Sequence, residues 1–220
     1  MRIGIIGAGN IGGALTRRFA ALGHEVRVAN SRGPETLADL ARETGAQAVE
    51  AREAADGCDL VVVTIPEKSV PSLPTGIVAA AKPDAPIVDT GNYYPRQRDG
   101  RIAAIEDGLT ESQWVERHLG RRVTKAFNNI GARYLLEAGQ PAGTPGRIAL
   151  PVAGDDERAK AVVMSLINDL GFDAIDAGAL AESWRQQPGT PVYVKNLDAD
   201  GVRRALAAAS PVRPEAFRAL

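Results

Sequence analysis

A chain of 220 residues with 45% hydrophobic content suits one large α/β domain, or a nucleotide-binding domain with a small appendix. Its 26 basic and 27 acidic side chains leave a net charge of −1, which removes the electrostatic case for nucleic acid or an anionic lipid surface. The single cysteine, Cys58, excludes an intramolecular disulfide and any multi-cysteine metal site; two histidines, His24 and His118, are too few for a histidine-rich one, so no metal is expected.

The first thirty-two residues carry the strongest pattern. Arg2 to Ile6 is a short apolar run that reads as a strand, and Ile11 to Ala21 carries a helical pattern. Between them, Gly7-Ala8-Gly9-Asn10-Ile11-Gly12 has the spacing of a dinucleotide-binding turn. Gly7 permits the tight turn, Gly9 lets a pyrophosphate approach the backbone, and Gly12 lets the helix pack close to the strand. The helix N-terminus then offers free N–H groups and the positive end of its dipole to phosphates.

His24 to Ala29 is β-rich, and the chain after it reads Asn30-Ser31-Arg32. Sites that prefer NAD place an acid here for the ribose 2′-hydroxyl. A hydroxyl beside a guanidinium suits a 2′-phosphate instead, so the cofactor expected is NADP(H). Glu35, the nearest acid, falls beyond the loop in a helix predicted over 34–44, which Gly45 stops.

Strand and helix signals go on alternating. A weak strand at Ala48-Val49 and a short helix near 51–55 precede Leu60 to Ile65, an apolar run without alternation that is stopped by Pro66. Residues 69–82 are helical in part, interrupted by Pro71 and Pro74. Ile87-Val88-Asp89 and Arg122 to Phe127 are the next strands. The pattern predicts a Rossmann doubly wound, mostly parallel sheet of order 3-2-1-4-5-6 over residues 1–127. Residues 128–220 form a small C-terminal α/β extension packed on it, with strands at 148–153 and 172–175, helices from Asp155-Asp156 to Leu170 and from Asp198 to Ala208, and a loop at 139–146. The acceptor side and a dimer contact are assigned to that second region.

In such sheets ligands sit beyond the carboxyl ends of the strands. Thr64, Ile65 and Pro66 should run along ribose and pyrophosphate. Thr90, Gly91 and Asn92, with Asn128 and Asn129, should frame the nicotinamide, although Asn is equally at home as a turn residue. Tyr93, Tyr94, Trp184 and Tyr193 are aromatic candidates for a wall facing a planar acceptor; as packing residues they would serve the extension instead. No acid/base stands at a strand end, and Lys125, inside a strand, reads as structural. A carbonyl substrate requires a proton donor. A flavin-like ring requires mainly alignment and exclusion of water.

At these residues the chain resembles NADP-dependent oxidoreductases of the coenzyme F-420 (deazaflavin) reductase type. The likeness is carried by Gly7–Gly12, Asn30–Arg32, Val61–Pro66 and Val123–Asn128. The segment Phe172–Trp184 is also similar to the cytosolic NADPH-binding domain of membrane ferric reductases. The first resemblance implies a homodimer that passes hydride between stacked nicotinamide and deazaflavin rings with no catalytic side chain. It implies Gly9, Asn10 and Ile11 on the pyrophosphate, Ser31 and Arg32 on the 2′-phosphate, and Ile65 and Asn128 along ribose and nicotinamide. Past the fifth strand, Asp89–Pro95 and the charged run Arg96–Arg101 depart from the apolar loop of that family. Two alternatives stay open: reduction of a small carbonyl or imine, with Tyr193, Lys125 or Lys195 as proton source, and a non-catalytic NADP(H) sensor. The lone cysteine, the start directly into a strand and the short apolar runs lead to the expectation of a cytoplasmic chain with no membrane partner.

Overall fold

A computed structural model describes residues 1–220. Six strands form one sheet: β1 (Arg2–Ile6), β2 (Glu25–Ala29), β3 (Gln47–Ala48), β4 (Leu60–Val63), β5 (Ile87–Asp89) and β6 (Val123–Lys125). Their order is β3-β2-β1-β4-β5-β6 and all pairings are parallel, as the alternating pattern predicts. Parallel neighbours need crossovers, and α1 (Asn10–Ala21), α2 (Ala38–Thr44), α3 (Ala103–Glu106) and α4 (Glu111–Leu119) lie within them.

The unbroken apolar run of β4 follows from this arrangement. Leu60 and Val62 enter the core on one face of the sheet, whereas Val61 and Val63 enter the core on the other, so no position is left for a polar residue. The strand ends at Val63, two residues before the sequence pattern stops. The sixth strand also stops early, at Lys125, because Phe127 adopts φ = 60° and leaves the extended region.

Residues 128–220 do not stand apart. α5 (Ala132–Glu137) packs on α1, and α6 (Glu157–Asp169) lies on β8 (Asp173–Asp176), which pairs in parallel with β7 (Ala149–Val152). Leu15 and Phe19 from α1 share one hydrophobic core with Phe127, Leu135, Leu150, Val163 and Phe172. Ala153 exchanges two backbone hydrogen bonds with Lys125, 2.8 and 3.0 Å, which closes the β6 edge. α7 (Ala199–Ala207) covers Ala149 and Ile175. Both helices are capped where the sequence starts them: the Asp156 carboxylate accepts from the Ala159 N–H at 3.0 Å, and that of Asp198 from the Gly201 N–H at 2.8 Å. No helix is long and apolar enough to cross a membrane.

Candidate active site

The strand order reverses at β1, so a crevice opens between the carboxyl ends of β1 and β4. Gly7 sits there with φ = 108°, a region that side chains avoid. A Cβ on Gly12 would overlap the Gly7 carbonyl oxygen and press on Thr64 Cγ2 at 2.8 Å. Gly9 is different: a Cβ there would meet no protein atom within 4 Å. It opens onto the crevice at the N-cap of α1, where no side chain caps the helix. Bare backbone, free N–H groups and space are the requirements of a pyrophosphate cradle, and these residues fit a dinucleotide.

Two grooves flank Gly9. One, about 550 Å³, brings together Gly7, Gly9, Asn30, Ser31, Arg32 and the run Thr64–Pro66. The Asn30 Oδ1 accepts the Arg32 N–H at 2.8 Å and its amide donates to Thr36 Oγ1 at 2.8 Å, so an Asx turn shapes the loop and leaves the Ser31 and Arg32 side chains exposed. The Glu35 carboxylate folds back over Gly33, where a Cβ would meet its oxygen at 2.5 Å, and it does not line the groove.

The other groove, about 380 Å³, joins Gly9, Asn10 and Ile11 to Thr64–Pro66, Thr90–Asn92, Tyr94 and Arg98. The Arg98 guanidinium lies over the Tyr94 ring, 5.0 Å from its centre, and donates to both oxygens of Asp99 at 2.9 Å. The Tyr94 hydroxyl meets that of Tyr193. Burial, and then the bond to Tyr94, push the Tyr193 phenol up, so it keeps its proton through the physiological range.

Four expected site residues lie elsewhere. Asn128 is buried, donates to Asn92 Oδ1 (3.1 Å) and to the Gln186 carbonyl (2.7 Å), and accepts from Gln186 Nε2 (3.0 Å). Its amide is thus consumed in tying β6 to the extension, and it lines neither groove. Asn129 is buried beside it with no partner for its side chain. Tyr93 is fully buried: alternation along the chain turns it away from Tyr94, its hydroxyl accepts the Ile102 N–H at 2.9 Å, and Arg213 covers its ring. Trp184 stacks with Arg185 at 4.4 Å on a separate cleft. Of the four aromatics, only Tyr94 and Tyr193 meet.

Beneath the second groove lies a cluster of ionisable side chains that no local pattern announces. Lys125 Nζ donates to Asp89 Oδ2 (3.2 Å) and to the Gly91 carbonyl (2.6 Å), and stands 4.0 Å from Glu111. Ser112 donates to the same Asp89 oxygen at 2.6 Å, and Arg213 donates to Glu111 at 2.9 Å. Burial by itself lowers the Lys125 pKa, but Asp89, Glu111 and Glu67 outweigh it and hold the ammonium above its ordinary range. Lys125 therefore stays charged and enclosed. It offers no proton to the groove, and Lys195 is exposed on a turn that lines neither groove.

Glu67 completes the cluster. Both its carboxyl oxygens are buried without a partner, and a Cβ on Gly91 would overlap Oε1, so a larger residue at 91 would displace the Glu67 carboxyl. Burial first, and then Asp89, raise its pKa well above the ordinary carboxyl value. A raised folded-state pKa adds stability below the unfolded pKa, and that stability is lost as pH rises through the folded pKa. Glu67→Gln, uncharged throughout, should remove this decline. Urea melts from about pH 5 to about pH 8 should show a flatter profile in the variant, and parallel profiles would place a charged Glu67 in the fold.

Comparison with known proteins meets this geometry. Residues 2–93 match the family described as NADP oxidoreductase coenzyme F420-dependent. Over nearly its full length the chain is similar to a hypothetical protein, SMa0349, from Sinorhizobium meliloti: 32% identity, TM-score 0.75, covering 91% of this chain and 96% of that one. A protein of Arthrobacter sp. FB24, provisionally described as an F420-dependent NADP reductase, shares the fold at 24% identity and TM-score 0.65, over 83% of this chain and 87% of that one. The Escherichia coli protein YjhV is 51% identical over 65 residues, 30% of this chain and 47% of its own length, so the match spans about half of that relative. The glycine turn, the sheet order and these likenesses mark residues 2–93 as a dinucleotide-binding segment that matches the coenzyme F420-dependent NADP oxidoreductase family.

Proposed function

We propose that this protein is an oxidoreductase that holds NADP(H) along the crevice, with Gly9, Asn10 and Ile11 on the pyrophosphate and Ser31 and Arg32 on the 2′-phosphate, and exchanges hydride with a flat acceptor of the deazaflavin or flavin type. The bound cofactor supplies the hydride. The observation that carries the reading is the composition of the groove beyond Gly9. Its lining beyond the glycine turn is Thr64–Pro66, Thr90–Asn92, Tyr94 and Arg98, with no histidine and no carboxylate. Such walls align a ring and keep water off it, which is what hydride exchange between two planar systems demands. A cytoplasmic homodimer is part of the same proposal, and sedimentation of the full chain measures its subunit count.

Stopped-flow NADPH oxidation against FMN, FAD, a deazaflavin and a panel of carbonyls and imines tests the acceptor. Turnover with the planar compounds supports the proposal, and turnover confined to carbonyls or imines overturns it. Tight NADPH binding without turnover by any acceptor would point to a sensor. The second reading, a carbonyl or imine reductase, rests on Tyr94, which lines the groove and whose hydroxyl meets that of Tyr193 behind it. Tyr94→Phe separates the two: it should cost a carbonyl reaction roughly 10²-fold in kcat and leave a flavin reaction nearly unchanged.

The 2′-phosphate assignment has its own test. Arg32→Ala should weaken NADPH by about 10- to 100-fold, the worth of a charge-assisted contact, and leave NADH nearly unaffected. Equal losses for both cofactors in fluorescence titration would remove Arg32 from the phosphate.

A further inference from the structure

The largest cleft, about 770 Å³, is not the nucleotide crevice and shares no lining residue with either groove beside Gly9. It lies where α3, the N-terminus of α4, the turn after Trp184 and the segment Ser210–Arg218 converge. Three guanidinium groups, Arg101, Arg213 and Arg218, line it against one carboxylate, Glu106. Glu106 is already engaged, accepting the Ala219 N–H at 2.9 Å. Arg213 is largely committed as well, donating to Glu111 at 2.9 Å and to Gln187 Oε1 at 3.0 Å.

Gln187 provides an independent sign of a ligand. It is only 6% exposed, lies on the wall of this cleft, and its Nε2 is buried with no partner. Buried amide donors are almost always satisfied, and an orphan costs about 1–3 kcal/mol. An acceptor atom entering the cleft would remove that cost.

We propose that this cleft binds a small organic carboxylate, its anionic end received by Arg101 and the Gln187 amide, and its flat or apolar body lying along the wall that contains Trp184. The charge balance selects a monoanion. Once Arg213 is set against Glu111, and Glu106 against one of the other two arginines, a single positive charge remains. A phosphate dianion would be left undercompensated, whereas a carboxylate would not.

Titration calorimetry of the full chain with benzoate and indole-3-acetate, beside neutral benzamide and inorganic phosphate, tests the assignment. At least one of the two acids should bind saturably at one site and change tryptophan fluorescence, a change lost in Trp184→Phe. Arg101→Ala, at an exposed position, should weaken that acid about tenfold. Arg32→Ala should leave it unchanged, which separates this cleft from the 2′-phosphate loop. Saturation by neither acid, equal binding of benzamide, binding of phosphate alone, an unaltered Arg101→Ala, or a loss in Arg32→Ala would each overturn the proposal.

Discussion

Gly9→Ala should fold with an unchanged Tm and bind NADPH about 10- to 100-fold more weakly, the cost of forcing one methyl group into an occupied contact. Both halves follow from one observation: a Cβ at Gly9 meets nothing within 4 Å of the protein, yet Gly9 borders both grooves. The methyl group is harmless to the fold and obstructive only to a ligand on the α1 N-terminus. Gly12→Ala supplies the contrast. There the methyl group would overlap the Gly7 carbonyl, so helix and strand must part, and stability and binding should fall together. Thermal melts paired with NADPH titrations read both variants. A Gly9→Ala protein that binds NADPH like the parent would remove the pyrophosphate from this turn.

The second large effect is expected at Lys125. Lys125→Met should cost about 3–5 kcal/mol of stability, because Asp89 and Glu111 would keep their buried charge with the central cation gone. Urea denaturation measures it. Pairing the change with Asp89→Leu should recover part of the loss, since the penalty arises from the uncompensated carboxylate more than from the missing attraction. A loss below about 1 kcal/mol for Lys125→Met alone would mean that the carboxylates are neutral or reached by water. The change also frees the Gly91 carbonyl, which Lys125 holds at 2.6 Å, so nicotinamide-side binding should weaken alongside stability.

The nucleotide half of this protein was readable because its rules are local. Gly7, Gly9 and Gly12 act within six residues of one another, the Asn30 turn closes on Arg32, and Asp156 and Asp198 cap helices three residues away. The unbroken run of β4 declared a strand buried on both faces. Lys125 read correctly as structural, because a cation among apolar strand neighbours must find partners inside. Which partners it finds was not legible. Asp89 lies 36 residues away in sequence, and Glu111 and Glu67 arrive from other crossovers, so only the packed sheet brings them together.

The acceptor side shows the same division. Tyr93 and Tyr94 are adjacent in sequence, yet one is fully buried beneath Arg213 and the other lines a groove. Its place after a strand end points Asn128 to the nicotinamide, but the backbone carbonyl and side-chain amide of Gln186 in the extension engage its amide. Phe127, at φ = 60°, turns the chain at that point, and no residue preference for phenylalanine foretells it. The short helix Ala132–Glu137 and the turn Leu180–Gln186 carry no pattern strong enough to stand out, and packing against α1 and α4 stabilises them.

The sequence by itself determined the sheet order, the glycine turn and the loop of Asn30, Ser31 and Arg32, because these depend on backbone freedom, hydrophobic period and neighbours a few residues away. Only the tertiary structure decided which aromatics face the groove, where the amide of Asn128 is used, and that a charged cluster lies under Gly91. Those outcomes depend on side chains brought together from distant crossovers, and burial, which sets their charge and their partners, does not exist until the sheet is packed.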